Sequence, residues 1–263
     1  MNLTKDPIWS LLKKVTIPAS TGSLFMTFYN LVDSFFAGKI SPEALAAVAK
    51  SWPITFIALA ISIGIQAGTQ ALISNSIGAK ENKTASLYVA QSIIFAIITS
   101  FFVTSFGLNF SDELLKIMGS TQESIILTRE YLDIIFYGSI IILVQLSLNG
   151  TLSAQGDTKS YRNILIFSFF INIFLNPLFI FGYGIIPGFG IAGLAISTLI
   201  AQSLGVFYLL YKVYCCELKK FLYFKCFIPK LDLLLNILKQ SVPIMFTMLT
   251  VSYTHLTLPT IPQ

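Results

Sequence analysis

Apolar runs long enough to cross a bilayer recur six times along the chain, near residues 15–38, 53–74, 86–108, 125–152, 161–183 and 190–213, and a seventh begins near 236. A spanning helix needs about 20 predominantly apolar residues, so each run predicts one membrane helix. Short polar segments such as NSIGAKENKT and SAQGDTKS predict the connections. Polar residues inside the runs are spaced and not scattered. In the first run Thr16, Ser20, Ser23, Thr27, Asn30 and Ser34 recur at intervals of three and four, which lines one helical face. Weaker faces follow with Ser62, Gln66 and Thr69 in the second run, Gln145 and Asn149 in the fourth, Ser168, Asn172 and Asn176 in the fifth, and Thr198 and Gln202 in the sixth. The pattern predicts an all-α polytopic membrane protein whose helices turn polar groups toward a common interior; the plainer reading of any single Ser or Thr is a helix-to-helix hydrogen bond.

Composition agrees with that reading. The 263 residues are 55% hydrophobic and 11% charged, whereas a soluble domain carries roughly a quarter charged residues, and the mean hydropathy is +0.77. The net charge of +5 includes no basic run interleaved with solvent-facing aromatics, so nucleic acid is not an expected partner. The lysines and arginines instead set an orientation. Thirteen of the seventeen fall at the N-terminus and in the even-numbered connections, and only Lys39, Lys50, Lys116 and Arg129 fall in the odd-numbered ones. By the positive-inside rule the N-terminus is cytoplasmic and the chain sits in the cytoplasmic membrane. The polar start MNLTKDPIWSLLKK has no cleavage site after it and reads as the approach to a retained first helix. Cys215, Cys216 and Cys226 share one basic connection, a spacing that fits no zinc site and reads as reduced thiols.

Eleven of the twelve acids lie at or near the ends of the runs, and the twelfth, Asp33, lies inside the first one. Ionisable groups within spans almost always face a bundle interior or a wet cavity. Asp33 flanks the polar stripe, one turn from Tyr29 and Asn30, and is expected to share the lipid-free face that the stripe defines. Pro18, Pro177 and Pro243 lie inside spans; proline bends a helix, and interrupted helices surround the midplane sites of transporters. Pro18 is therefore the expected bending point of the first helix.

Placing Pro18 over Pro243 aligns LKKVTIP (12–18) with ILKQSVP (237–243). The second copy starts after an even number of spans, as in a parallel repeat of two six-helix halves. The chain is thus expected to comprise an N-terminal six-helix lobe (1–230), the start of a second lobe (231–250) and a tail (251–263). VSYTHLTLPT within that tail matches the in-frame translation of a transposase-end adapter used in sequencing libraries, so the span is expected to break after Thr250. His255, the single histidine, receives no role.

The stretches IPASTGSLFMTFYNLVDSFFAGKI, GIQAGTQALISNSIGAKE, MGSTQESIILTREYL, NGTLSAQGDTKSYRNIL and INIFLNPLFIFGYG, in this order, resemble the MATE (multidrug and toxic compound extrusion) transporters over roughly residues 8–250. The resemblance implies twelve helices in two lobes around a central cavity, and export of cationic or amphipathic small molecules driven by inward H⁺ or Na⁺. It implies proton coupling at Asp33, with Tyr29 and Asn172 in its hydrogen-bond network, and the polar faces add Asn30, Asn176, Thr198 and Gln66 as candidates for the network or cavity wall. In many such transporters a second carboxylate precedes the fifth-span proline; here Asn176 stands there, which leaves Asp33 alone.

The working expectation is a cation-coupled antiporter with no cofactor and no enzymatic activity. Asp33 takes up a proton from the outer side, and the first helix bends at Pro18, repacks and releases the exported cation. The partners are the bilayer, a cationic or amphipathic substrate and the C-terminal lobe of the same chain, without which the fragment is expected to be poorly stable. A lipid or polysaccharide flippase of related architecture would want basic residues inside the cavity, and the spans contain none well inside them. Intramembrane enzymes need His, Cys or paired acids within reach of one another, which the spans do not offer. A scaffold without transport would leave the stripe and Asp33 unexplained.

Overall fold

The computed structural model describes residues 8–184, 186–221 and 223–257. Within them run eight helices: α1 (Ile8–Ile40), α2 (Pro42–Gly78), α3 (Asn82–Ile117), α4 (Gln122–Tyr137), α5 (Ser139–Ala154), α6 (Lys159–Phe181), α7 (Gly190–Tyr214) and α8 (Leu231–Thr257). The polar connections act as caps. Ser41 Oγ accepts the Ala44 N–H at 3.0 Å while Pro42 occupies the first turn of α2. Asp157 Oδ1 accepts the N–H groups of Lys159 and Ser160 at 3.1 and 3.0 Å and so starts α6.

Five of the helices, α2, α3, α6, α7 and α8, are long and apolar enough to cross a membrane, and the α4–α5 pair makes a sixth. α1 has the length, at 33 residues, but its polar stripe keeps it out of the apolar set.

The expected fourth span is not one rod. It bends by 48° between α4 and α5. Neighbouring helices shape the bend: a side chain at Gly138 would collide with Leu199 of α7, and Thr104 Oγ1 donates to the Phe136 carbonyl at 2.7 Å while contacting Ser139 Oγ at 2.9 Å. A hydroxyl from α3 thus substitutes for helical bonding at the break.

The chain is not wholly helical either. Gly182–Tyr183 (β1) and Ile186–Pro187 (β2) form a two-stranded antiparallel hairpin between α6 and α7, in register Gly182↔Pro187 and Tyr183↔Ile186. Gly182 adopts φ +79°, with Gly188 N 2.6 Å from where a Cβ would stand; only glycine fits there. At the far end, the break expected after Thr250 does not occur: α8 continues to Thr257, because VSYTHLT contains no proline. Residues 258–263, the rest of the expected tail, lie outside the described residues.

α2 is the central helix and packs on α1, α3, α4, α5 and α8. Three apolar layers fill the bundle. One, around Ala37, Ala47, Val48, Ile180, Ile191 and Leu194, joins α1, α2, α6 and α7 near the hairpin end. The second centres on Ile65, Val103, Leu132, Phe136 and Leu143. The third, around Ile73, Val89, Leu148, Leu152, Ile164, Leu209 and Ile237, closes the opposite, basic end. Lipid tails are as apolar as leucine, so close fit holds helices together here. At Gly150 an added Cβ would lie 2.5 Å from the Gln66 carbonyl oxygen, and at Gly68 it would lie 3.1 Å from Ser241 N of α8.

Candidate functional site

α1, α6 and α7 bring the site together. Gly22 lets α1 lie against α6, where its missing Cβ would be 3.2 Å from Leu165 Cδ1, and Phe25 meets Phe169 edge-on at 5.5 Å. Higher on α1, toward the hairpin end, Asp33 turns into the seam between α6 and α7 and is 8% exposed. Its Oδ1 accepts from Asn176 Nδ2 at 2.9 Å, and its Oδ2 accepts from Thr198 Oγ1 at 3.4 Å. Asn176 also donates to Asn172 Oδ1 at 2.8 Å, and Asn172 Nδ2 lies 3.4 Å from Asn176 Oδ1. Ser197 Oγ donates to the same Asn176 oxygen. One carboxylate therefore sits at the end of a chain of amides and hydroxyls drawn from two other helices.

A buried carboxylate in such surroundings depends on its donors, because low polarity magnifies both a satisfied and an unsatisfied charge. Among the described residues, neither oxygen of Asp33 meets a cation. Its donors are neutral, so the charge is accommodated and not cancelled.

The carboxylate forms part of the wall of a partly open cavity of about 200 Å³. Tyr29 and Asn30 line it beside Asp33, Tyr131 from α4 and Tyr161 from α6 face in, Trp52 and Phe56 come from α2, and Gln145, Gln202 and Thr198 add polar atoms. Among the described residues, neither Lys nor Arg lines it. Tyr29 and Tyr131 sit within electrostatic reach of the Asp33 charge. The Tyr29 hydroxyl lies next to Thr198 and Asn172 yet meets no partner at hydrogen-bonding geometry, and the Gln202 Oε1 is likewise buried and unpartnered. Such atoms on a cavity wall are available to water or a bound molecule.

Asp33, Asn172, Asn176 and Thr198 are brought into one network, and Tyr29 and Asn30 border it. Two expectations are corrected. Gln66 does not line the cavity. It lies seven residues, about 10 Å, beyond Leu59 toward the basic end, where α2 packs on Gly150. The α1 stripe shares a face with Asp33 only in its upper part, where Asn30 and Ser34 line the same cavity. Thr16, Ser20, Ser23 and Thr27 are exposed and Asn30 and Ser34 are half-buried, while Asp33, rotated about 100° from Ser34, points into the bundle. The stripe hydroxyls meanwhile bond their own helix, Thr27 to the Ser23 carbonyl at 3.1 Å and Ser34 to the Asn30 carbonyl at 3.0 Å. Pro18 lies within an uninterrupted α1, fifteen residues or about 22 Å from Asp33. Ser197 and Tyr131 are site residues that the polar-face reading passed over. The adjacent Ser197–Thr198 pair was the available signal for the first, and an aromatic between Glu130 and Leu132 offered little for the second.

The MatE family model matches residues 18–178, which include Asp33, Tyr29, Asn172 and Asn176. Among curated proteins, the chain is 29% identical over 214 residues to the FAD transporter of Shewanella oneidensis, covering 80% of this chain and 47% of that protein. It is 27% identical over 259 residues to the probable multidrug resistance protein YoeA of Bacillus subtilis, covering 96% and 56%. Among solved structures, an outward-facing multidrug resistance MATE family transporter of the MOP superfamily superposes with a TM-score of 0.83 at 27% identity, over 94% of this chain and 54% of that one. The chain spans about half the length of the curated relatives it matches.

Proposed function

Since the chain belongs to the MatE family, a family of multi-pass membrane transporters, we propose that it forms the N-terminal lobe of an antiporter in the cytoplasmic membrane. In this reading the exporter drives amphipathic or cationic small molecules outward against an inward flow of protons, with Asp33 as the coupling group. The observation that carries it is the placement of one carboxylate, held by neutral donors, in the wall of a cavity that, among the described residues, has aromatic rings and one acid but no base.

The chemistry follows from those donors. Ionised Asp33 accepts from Asn176 and Thr198. A proton arriving through the cavity turns one carboxyl oxygen into a donor, so Asn176 Nδ2 or Thr198 Oγ1 must release it or turn away. α1 then loses one of the two hydrogen bonds that tie Asp33 to α6 and α7, which favours repacking with Pro18 as its bending point. The exposed polar stripe of α1 and the adjoining cavity wall face the second lobe, of which α8 is the first helix. The N-terminus and the basic end are cytoplasmic. Na⁺ is the rival coupling ion, since carboxylate and amide oxygens also suit it.

A second substrate reading comes from the FAD transporter of Shewanella oneidensis. FAD is anionic, and the absence of Lys and Arg from the lining weighs against it. The lining argues in the same way against an acidic glycan or a lipid pyrophosphate as cargo. The test is uptake into inverted proteoliposomes of the complete two-lobe protein. A lipophilic cation dye or FAD is supplied outside, and a pH or Na⁺ gradient is imposed. Dye movement driven by the pH gradient supports the proposal; movement of FAD alone, or dependence on Na⁺ alone, refutes it.

A further inference from the structure

Between α7 and α8 the chain runs as a strap through two short 3₁₀ turns, Glu217–Phe221 and Phe224–Phe227. The strap is fastened to the bundle. Gln91 of α3, fully buried, commits its whole amide to it: Nε2 donates to the Cys226 and Ile228 carbonyls at 2.7 and 2.8 Å, and Oε1 accepts the Lys230 N–H at 2.9 Å. Ser86 Oγ reaches the Leu218 carbonyl at 3.0 Å. Leu218 and Cys226 are buried against the bundle.

The outer face of the strap has the opposite character. Lys219, Lys220, Lys225 and Lys230 are exposed, and Glu217 is the single acid between residues 212 and 231. Tyr214, Tyr223, Phe227 and Ile228 are exposed among the lysines, and Lys219 Nζ stands 3.5 Å from the centre of the Tyr214 ring. The flanking helices are spans, ending at Tyr214 and beginning at Leu231, so this face lies at the boundary of the bilayer.

We infer that the strap is a binding surface for anionic phospholipid headgroups. Lysines near a membrane surface are attracted to anionic lipid, and aromatic side chains settle at headgroup depth. A free soluble anion would satisfy the lysines but leave Tyr223, Phe227 and Ile228 in water, so the complementary partner is charged and apolar at once. The Gln91 clamp holds the groups in place before lipid arrives, which spares the ordering cost of binding. Bound lipid also steadies the entry to α8, because the Lys230 carbonyl accepts the N–H groups of Leu233 and Leu234 at 3.1 and 3.0 Å.

The test uses the full chain in nanodiscs of phosphatidylcholine with or without phosphatidylglycerol, with bound lipid counted by native mass spectrometry and melting followed in parallel. The chain is expected to retain phosphatidylglycerol selectively and to melt higher in its presence. The K219Q/K220Q/K225Q variant is expected to weaken that retention by about fivefold per lysine removed, whereas K219R/K220R/K225R keeps it. Unchanged retention in the glutamine variant overturns the inference. So does inorganic phosphate that raises the melting point as much as the lipid does. Should the glutamine variant not fold, a salt titration of the unmodified chain decides: selectivity that added salt leaves unchanged also overturns it.

Discussion

Replacing Asn176 with leucine probes the site most sharply, because the two side chains are similar in size and Asn176 is fully buried with four polar contacts. The change removes the closer donor to Asp33, a charge-assisted bond of about 1.5–3 kcal/mol, and leaves the Asn172 amide short of partners at about 1–3 kcal/mol more. Leucine packing offsets about 1–2 kcal/mol. Taken at mid-range, these terms leave a loss of about 3 kcal/mol, or about 6–12 °C in melting temperature for a domain of this size. The sign of its pH dependence is specific. The missing donor penalises only ionised Asp33, so the gap between variant and unmodified protein is widest at alkaline pH. It narrows toward the neutral-amide part as the carboxyl takes up a proton. Melting in detergent across acid to alkaline pH measures this directly. A deficit below about 1 kcal/mol, or one that is the same at both ends of the range, would refute the placement of Asn176 as the donor that holds the charge.

Further outcomes follow from the packing. Gly150→Ala sets a methyl against the Gln66 carbonyl and should cost about 1–3 kcal/mol, read by melting; a neutral effect would mean that α2 and α5 are not in close contact there. Gln91→Leu frees the strap, so amide exchange over residues 226–230 should accelerate by at least about tenfold, equivalent to one or two lost hydrogen bonds. Protection equal to that of the unmodified chain would show that the clamp does not hold. Thr104→Val removes the hydroxyl at the α4–α5 break and should destabilise by about 1 kcal/mol; a stabilised variant would mean the bend has another cause.

Long-range architecture was legible wherever a single physical requirement dominated. Bilayer thickness sets the run length, so the spans were visible, and the Asp157 and Ser41 caps lay where polar connections were expected. Features decided by contact between distant segments were not. The break at Gly138 depends on Leu199 and Thr104, neither of them near it in sequence. The hairpin at 182–187 depends on glycines that read equally well as a turn. Periodicity correctly found that α1 has a polar face, but periodicity alone does not say which partner that face meets. The lower stripe, Thr16 to Thr27, turned out to be exposed, while Asn30 and Ser34 join Asp33 at the cavity. Asn176 shows the same limit from the other side. At sequence level it registered as a lost carboxylate, and in the folded lobe it is the closest donor to the remaining one.

The central claim, that Asp33 is the coupling carboxylate, is tested most directly with Asp33→Asn in the complete two-lobe protein in proteoliposomes. Substrate binding and pH-gradient-driven transport are measured on the same preparation. The account predicts that the variant binds the cationic substrate within a few-fold of the unmodified protein but no longer couples its movement to the proton gradient. Transport driven by the gradient at the unmodified rate would contradict it.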